Sequence, residues 1–201
     1  MAWDCLVWPP PRRCRGALPV DSPTSNAWSL ESDIEHLIRA VPDFPQEGIL
    51  FRDITPLLAD PEGFATCIAR LEEIVADSRP DVVVGIESRG FLFGTPLAQR
   101  LGVGFVPVRK PGKLPGAVKT VTYELEYGTD TLEMHEDAIE EGQRVLVVDD
   151  LLATGGTAEA TAAMLREVGA DIVGCAFVIE LEDLNGRSRL DGIPVHALIS
   201  Y

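Results

Sequence analysis

Apolar positions along the chain fall into two patterns, short continuous runs and runs at helical spacing. Continuous runs of the buried-strand type occur at residues 81–86, 103–108, 145–148 and 172–179. Between them, apolar side chains recur every three or four residues, as they do on one face of a helix. Strands that alternate with helices predict a right-handed, parallel, three-layer α/β sheet.

The helices are predicted at residues 32–41, 60–75, 95–101 and 157–168, from apolar spacing together with residues that favour helix ends. The residues that mark these ends are Ser32 with Glu35, Pro42, Asp60 with Pro61, Thr95 with Pro96, Gly102 and Gly169. Residues 120–127 and 129–134 flank Gly128, a pattern typical of an antiparallel strand pair.

The first thirty residues differ in composition from the rest of the chain. They contain Pro9–Pro11 and a basic group at Arg12, Arg13 and Arg15. We expect residues 1–30 to be a disordered extension and residues 31–201 to form one domain. The positive residues follow a short apolar stretch instead of preceding one, so a secretory signal is not indicated.

Composition limits the classes of partner. The 201 residues include 17 Lys and Arg against 32 Asp and Glu, a formal charge of -15, so nucleic acid is not an expected partner. A membrane is not expected either, because no apolar run approaches the roughly 18 residues of a membrane helix. The four scattered cysteines do not suit a disulfide framework, which favours a cytoplasmic location.

The strongest candidate site follows the apolar run at 145–148. There Asp149 and Asp150 precede a loop of small residues at 153–157, the phosphate loop, which leads into a helix. Its glycines let backbone amides approach an anion, and the helix N-terminus adds partial positive charge. Two carboxylates would repel a bare phosphate but suit sugar hydroxyls or Mg2+, so we expect a phosphorylated sugar. The alternative is a simple turn followed by a helix cap.

Two further places carry cations after apolar runs. Arg89 follows the run at 81–86, where its guanidinium could meet a second anion. Residues 109–116, the basic loop, contain Arg109, Lys110 and Lys113 among prolines and glycines. This composition predicts a mobile lid, with a solvated charged loop as the alternative.

The segment VLVVDDLLATGGT at 145–157 resembles the signature of the type I phosphoribosyltransferases. Residues 41–58, 85–94, 109–116 and 123–128 resemble segments of the adenine branch of that family. The resemblance implies an α/β, three-layer parallel-sheet type I phosphoribosyltransferase fold with a small hood and a flexible lid loop. It also implies transfer of the 5-phosphoribosyl group from 5-phospho-α-D-ribose 1-diphosphate (PRPP) to adenine, giving AMP and diphosphate. Mg2+ as cofactor and a homodimer are further implications.

Roles for individual residues come from the same resemblance. The ribose 5-phosphate is assigned to Ala153, Thr154, Gly155, Gly156 and Thr157, and the ribose hydroxyls to the acids Asp149 and Asp150. The diphosphate is assigned to Ser88 and Arg89, with a cis Glu87–Ser88 peptide, and to Arg109, Lys110 and Lys113 of the basic loop. One position of that loop is expected to serve the neighbouring subunit.

The base is expected to lie against Leu50, Phe51, Arg52 and Leu151. Glu126 matches a lid carboxylate that handles the purine proton, so the implied catalytic residues are Glu126, Asp149 and Asp150. Mg2+ is expected to be held mainly by PRPP, with Asp149 or Asp150 as its protein ligand. Two alternative functions are a phosphoribosyltransferase for another base and a regulator that binds PRPP without turning it over.

Overall fold

The computed structural model describes residues 32–124 and 129–201 of the chain. In chain order, the helices and strands are α1 (Ser32–Glu35), β1 (Arg39–Pro42), β2 (Leu50–Asp53), α2 (Thr55–Ala59), α3 (Pro61–Ile74), β3 (Val82–Ile86), α4 (Gly90–Leu101), β4 (Gly104–Val108), β5 (Val118–Glu124), β6 (Thr129–His135), β7 (Arg144–Leu152), α5 (Gly156–Glu167), β8 (Asp171–Glu180) and β9 (Val195–Ser200).

Within the described residues, the main sheet has five parallel strands in the order β4-β3-β7-β8-β9. The four apolar runs of the sequence form strands β3, β4, β7 and β8 of this sheet, so those predictions are confirmed. The edge strand β9 was not predicted. Because all five strands are parallel, their carboxyl ends meet at one edge, where ligands bind in open α/β sheets.

Alternate side chains of the strands point to opposite faces of this sheet and build two separate cores. Val82 and Val84 of β3 pack in one core with Met164 of α5. Val83, between them in sequence, packs in the other core with Phe93 of α4. Helices therefore cover both faces, and the predicted three-layer α/β architecture is confirmed.

Two helix predictions are wrong in their extent. The first helix ends at Glu35, and Val41 lies in β1, where it pairs with Phe51 of β2. Local spacing cannot reveal that residues 39–42 form a strand, because the backbone partners of β1 come from β2, about ten residues away along the chain.

The third helix begins at Gly90 instead of Thr95, and Pro96 lies inside it. Phe93, which precedes the predicted start, is fully buried against the sheet. Gly90 allows the helix to begin there, since a Cβ at this position would lie 2.7 Å from the Val148 carbonyl oxygen. Tertiary packing therefore overrides the local helix-start signal.

Two small antiparallel pairs stand outside the main sheet. Strands β1 and β2 form the hood, and strands β5 and β6 form the lid hairpin. The hairpin is confirmed, whereas the predicted turn at Gly128 lies outside the described residues. So does the proposed extension at 1–30. No helix in the described part of the chain is long and apolar enough to cross a membrane.

Cys67 and Cys175 are buried free thiols. Burial raises the pKa of each thiol to about 12, which keeps both in the unreactive protonated form. Cys5 and Cys14 lie outside the described residues.

Candidate active site

A polar cavity of about 250 Å3 lies at the carboxyl edge of the main sheet. It is lined by Glu87, Ser88, Arg89, Lys110, Asp149, Asp150, Leu151, Leu152, Ala153, Thr154, Gly155, Gly156, Thr157, Ala158 and Phe177. The fold thus brings the phosphate loop, both acids and the Ser88–Arg89 pair to one place. The Ser88–Arg89 pair lies about sixty residues before the acids and the phosphate loop in sequence, and the parallel sheet joins them because β3 and β7 are neighbours.

The phosphate loop connects the end of β7 to the beginning of α5. Gly155 has a φ of 82° and precedes the first helical residue, Gly156. A side chain at Gly155 would be strained in this left-handed conformation and would also overlap the Gly186 carbonyl oxygen. The loop therefore presents backbone amides and the helix N-terminus to the cavity, an arrangement that suits a phosphate.

Asp149 and Asp150 belong to β7, which continues to Leu152. Asp149 pairs in register with Phe177 of β8, so the alternative of a simple turn at this position is wrong. The strand extends because neighbouring strands supply backbone partners to residues whose side chains are polar.

The two acids interact with each other and with Arg89. Asp150 is 3% exposed, and its Oδ2 lies 3.1 Å from Arg89 Nε. Asp149 Oδ1 accepts a hydrogen bond of 2.9 Å from the Asp150 amide. Burial, together with the charge of Asp150, raises the pKa of Asp149 well above its ordinary value. Burial also raises the pKa of Asp150, and the Arg89 guanidinium opposes that rise.

Glu87 organises the basic loop, a role that the sequence did not suggest. The Glu87–Ser88 peptide is cis, as the resemblance implied. The Glu87 carboxylate accepts hydrogen bonds from Arg109 Nε at 3.1 Å and Nη2 at 3.2 Å, and from the Lys110 amide at 3.0 Å. Burial disfavours the charge on Glu87, but these donors outweigh it and lower its pKa. Arg109 is therefore held by Glu87 and does not line the polar cavity.

Lys110 does line the cavity, and it is linked to the phosphate loop through the lid hairpin. Its Nζ forms an ion pair with Asp130 of β6. Tyr123 of β5 lies with its hydroxyl 3.3 Å from Asp130 Oδ2 and 3.1 Å from Thr157 Oγ1. Asp130 and Tyr123 were not predicted as site residues, because their partners come from distant parts of the chain. Lys113 is exposed, and its carbonyl accepts from Arg109 Nη1 at 3.2 Å.

The hood contributes an apolar cavity of about 450 Å3 beside the polar one. Its lining residues are Val41, Phe44, Phe51, Asp53, Ile54, Thr55, Leu58 and Arg89. Arg89 lines both cavities, and its guanidinium carbon lies 5.9 Å from the centre of the Phe51 ring. The two cavities therefore adjoin at Arg89, an apolar surface next to an anion-binding one.

The other predicted base contacts are placed differently. The Arg52 guanidinium stacks on the Tyr201 ring at 3.5 Å, away from both cavities, because alternate side chains of β2 point to opposite sides. Leu50 shares that alternation and is 50% exposed. Leu151 lines the polar cavity with the two acids. Any contact of Leu50 or Arg52 with a base would have to come from the backbone.

Comparison with known proteins identifies the family of this chain. Residues 54–195 match the phosphoribosyl transferase domain model. A curated adenine phosphoribosyltransferase from Gloeothece citriformis is 58% identical over 171 residues, which cover 84% of this chain and 99% of the relative. The chain belongs to the adenine phosphoribosyltransferase family.

Solved structures of this adenine phosphoribosyltransferase family agree with the fold. The enzyme from Thermoanaerobacter pseudethanolicus superimposes with a TM-score of 0.83 at 52% identity, covering 86% of this chain and 100% of that one. The enzyme from Saccharomyces cerevisiae, solved with an imino-altritol bisphosphate and adenine, has a TM-score of 0.79 at 45% identity. That match covers 85% of this chain and 98% of the yeast chain.

Two expected features of an adenine phosphoribosyltransferase stay untested by the geometry. Glu126 lies outside the described residues. No group of three or more His, Cys, Asp or Glu side chains in the described part of the chain could hold a metal ion. The Asp149–Asp150 pair supplies carboxylate oxygens of the kind that Mg2+ prefers, but a full set of ligands would need oxygens from the substrate.

Proposed function

We propose that this chain transfers the 5-phosphoribosyl group from PRPP to adenine, giving AMP and diphosphate. The observation that carries the proposal is a single cavity lined by the phosphate loop, the buried acid pair and Arg89. Backbone amides suit the 5-phosphate, carboxylates suit the ribose hydroxyls, and a guanidinium suits the diphosphate.

Sugar binding uses residues 149–157. The amides and hydroxyls of Ala153, Thr154, Gly155, Gly156 and Thr157 bind the 5-phosphate. The carboxylates of Asp149 and Asp150 accept hydrogen bonds from the ribose hydroxyls. Their raised pKa values mean that ionisation costs free energy in this buried position, and hydroxyl donors or a cation offset that cost.

The reaction breaks the bond between C1 of the ribose and the diphosphate oxygen, and it forms a bond from C1 to adenine N9. Positive charge develops on the sugar while negative charge develops on the diphosphate. Ser88, Arg89 and Lys110 line the cavity where the leaving group would lie, with Arg109 and Lys113 close by on the basic loop. Mg2+, held mainly by PRPP and by Asp149 or Asp150, would supply additional neutralising charge.

Adenine binds where the two cavities adjoin, between the side chains of Phe51 and Leu151. Backbone groups of Leu50 to Arg52 distinguish a 6-amino from a 6-oxo purine. Glu126 takes or returns the purine proton as the bond to N9 forms. Closure of the lid, formed by the basic loop and the lid hairpin, excludes water from the site. Attack of water on the activated sugar is the competing reaction.

The homodimer, the Mg2+ requirement and the cytoplasmic location are parts of this proposal. One position of the basic loop would serve the neighbouring subunit; Arg109 and Lys113 both lie beside the polar cavity without lining it.

The deciding experiment is an assay for diphosphate release from PRPP and Mg2+, with adenine, hypoxanthine, guanine or xanthine added singly. We expect release only with adenine, together with AMP. Release with another base at equal efficiency would mean that adenine is not the specific substrate. Binding of PRPP with no release in the presence of adenine would instead indicate a regulator.

A further inference from the structure

The segment that follows β8 lies directly against the phosphate loop. Gly186 begins a short 3-10 helix, Gly186–Arg189, and its backbone contacts that of the loop. A Cβ at Gly186 would overlap the Ala153 carbonyl oxygen and would lie 2.9 Å from the Gly155 nitrogen. A Cβ at Gly155 would in turn overlap the Gly186 carbonyl oxygen. The two glycines therefore permit an approach that a side chain on either one would prevent.

The next residue, Arg187, fixes this segment to the sheet. Its Nε donates to Glu180 Oε1 at 3.0 Å, and its Nη2 pairs with Glu180 Oε2. Its Nη1 donates to the Val195 carbonyl at 2.6 Å. Arg187 thus connects the end of β8 to the start of β9, with Gly186 immediately before it.

Glu180 is a buried carboxylate, only 4% exposed. A buried charge is costly without a partner, and the two-pronged guanidinium pair supplies one in a fixed direction. Because the pair is directional, it fixes the position of the residues on either side of Arg187 in addition to stabilising the fold. Gly186 is therefore held at one distance from the phosphate loop.

We propose that Gly186 and the Glu180–Arg187 pair are positioning residues that hold the phosphate loop in its anion-binding conformation. This inference rests on the proposed function, since it assumes that the loop binds the 5-phosphate. The loop binds through backbone amides, which have no side-chain freedom to compensate for a shift. A displacement of about 1 Å in a site that positions a substrate can cost as much as about a hundredfold in rate. The segment that supports the loop should thus matter specifically for the sugar phosphate.

The test compares Gly186→Ala with Gly104→Ala, a control in which the new Cβ has room, 3.7 Å from the nearest Val82 atom. Two readouts are used, calorimetric binding of ribose 5-phosphate and steady-state KM values for PRPP and adenine. We expect Gly186→Ala to weaken ribose 5-phosphate binding and to raise the KM for PRPP by about tenfold or more, with the KM for adenine changed by less than about twofold. Gly104→Ala should match the unmodified protein.

Either of two results would overturn the inference. One is a folded Gly186→Ala protein that binds ribose 5-phosphate as well as the unmodified protein does. The other is an equal rise in the KM values for PRPP and adenine, which indicates general damage to the fold. Circular dichroism and thermal unfolding establish that each variant is folded.

If Gly186→Ala does not fold, Arg187→Lys tests the positioning role instead. Lysine keeps the charge beside Glu180 but lacks the rigid guanidinium fork that pairs with both carboxylate oxygens and reaches the Val195 carbonyl, so we expect about threefold weaker ribose 5-phosphate binding with the KM for adenine unchanged. Unchanged ribose 5-phosphate binding would overturn the inference. If the unmodified protein binds ribose 5-phosphate but releases no diphosphate with adenine, the proposed function fails, and the positioning role is judged by binding alone.

Discussion

Arg89 Nε lies 3.1 Å from Asp150 Oδ2, at the point where the neighbouring strands β3 and β7 end. The proposal assigns the guanidinium to the diphosphate and the carboxylate to the ribose. The two groups that would bind opposite sides of the breaking bond therefore hold each other in place. Such preorganisation reduces the rearrangement needed when charge develops in the transition state.

Replacement of Asp150 with Asn should affect binding more than stability. We expect Asp150→Asn to raise the KM for PRPP by about tenfold, because the ribose hydroxyls lose a charged acceptor. The free energy of unfolding should change by less than about 1 kcal/mol, since the lost pair with Arg89 is offset by relief of repulsion from Asp149. Kinetics and urea unfolding measure the two effects. Asp171→Asn, at the far end of β8, is the control and should leave the KM unchanged.

Glu126→Gln separates proton handling from binding. The amide keeps the size of the side chain but cannot take the purine proton. We expect kcat to fall by about a hundredfold, with both KM values changed by less than about threefold. Steady-state kinetics alongside Glu136→Gln, an exposed glutamate after the lid hairpin, provides the comparison. Unchanged kcat in Glu126→Gln would remove the proton-handling role.

Gly155→Ala distinguishes close packing from backbone strain in the phosphate loop. Gly192 has a similar φ of 75°, but no atom lies within 4 Å of a Cβ placed there. Both substitutions force alanine into the left-handed region, and only Gly155→Ala also meets the Gly186 carbonyl. We expect Gly155→Ala to be less stable than Gly192→Ala by about 1 to 3 kcal/mol in urea unfolding. Equal stability of the two variants would contradict the packing at this site.

The pH dependence of stability should reveal Asp53 in the hood. Hydrogen bonds from the Thr55 hydroxyl and amide, and then from Arg39, lower the pKa of Asp53 from 3.8 to about 2. A carboxyl whose pKa is lowered on folding stabilises the protein above its unfolded value, and that contribution is lost as pH falls through the folded value. The stability difference between the unmodified protein and Asp53→Asn should thus be constant above about pH 5 and shrink from pH 3.8 towards about 2.

Urea unfolding at a series of pH values measures this difference. Thr55→Val removes the hydroxyl donor and so raises the folded pKa of Asp53; in that background the contribution of Asp53 should be smaller and should be fully lost at a higher pH. A stability difference that does not vary with pH would mean that the contacts of Asp53 do not depend on its charge.

Mg2+ should bind together with PRPP and only weakly on its own. The protein offers the Asp149–Asp150 pair, and the remaining oxygens would come from the substrate. Calorimetry should detect no tight binding of Mg2+ alone, tight binding of PRPP with Mg2+, and weaker binding of PRPP in the presence of a chelator. Tight binding of Mg2+ to the ligand-free protein would show that the chain carries a metal site of its own.

Much of the fold could be predicted from local pattern. The apolar runs that became β3, β7 and β8 are continuous because these parallel strands are largely buried on both faces, so sequence alone identifies them. The run that became the edge strand β4 is also apolar, although most of its residues are only half-buried. The other edge strand, β9, and the hood strands gave no comparable signal, because no continuous apolar run marks them.

The chemical types of the site residues were likewise predictable, and their connections were not. A loop of glycines and hydroxyl residues between a buried strand and a helix N-terminus favours a phosphate site. The link from Glu87 to Arg109 was not predicted, because it joins residues 22 positions apart. Neither was the link from Tyr123 to Thr157, across 34 positions.

By itself, the sequence determined four of the five strands of the parallel sheet and predicted which residues bind a phosphorylated sugar, because burial and backbone freedom are properties of each segment. Only the tertiary structure decided that Arg52 stacks on Tyr201, that α4 begins at Gly90, and that Gly186 packs against the phosphate loop. Those arrangements depend on distances between segments remote in the chain. Such distances are fixed by packing, which no local pattern encodes.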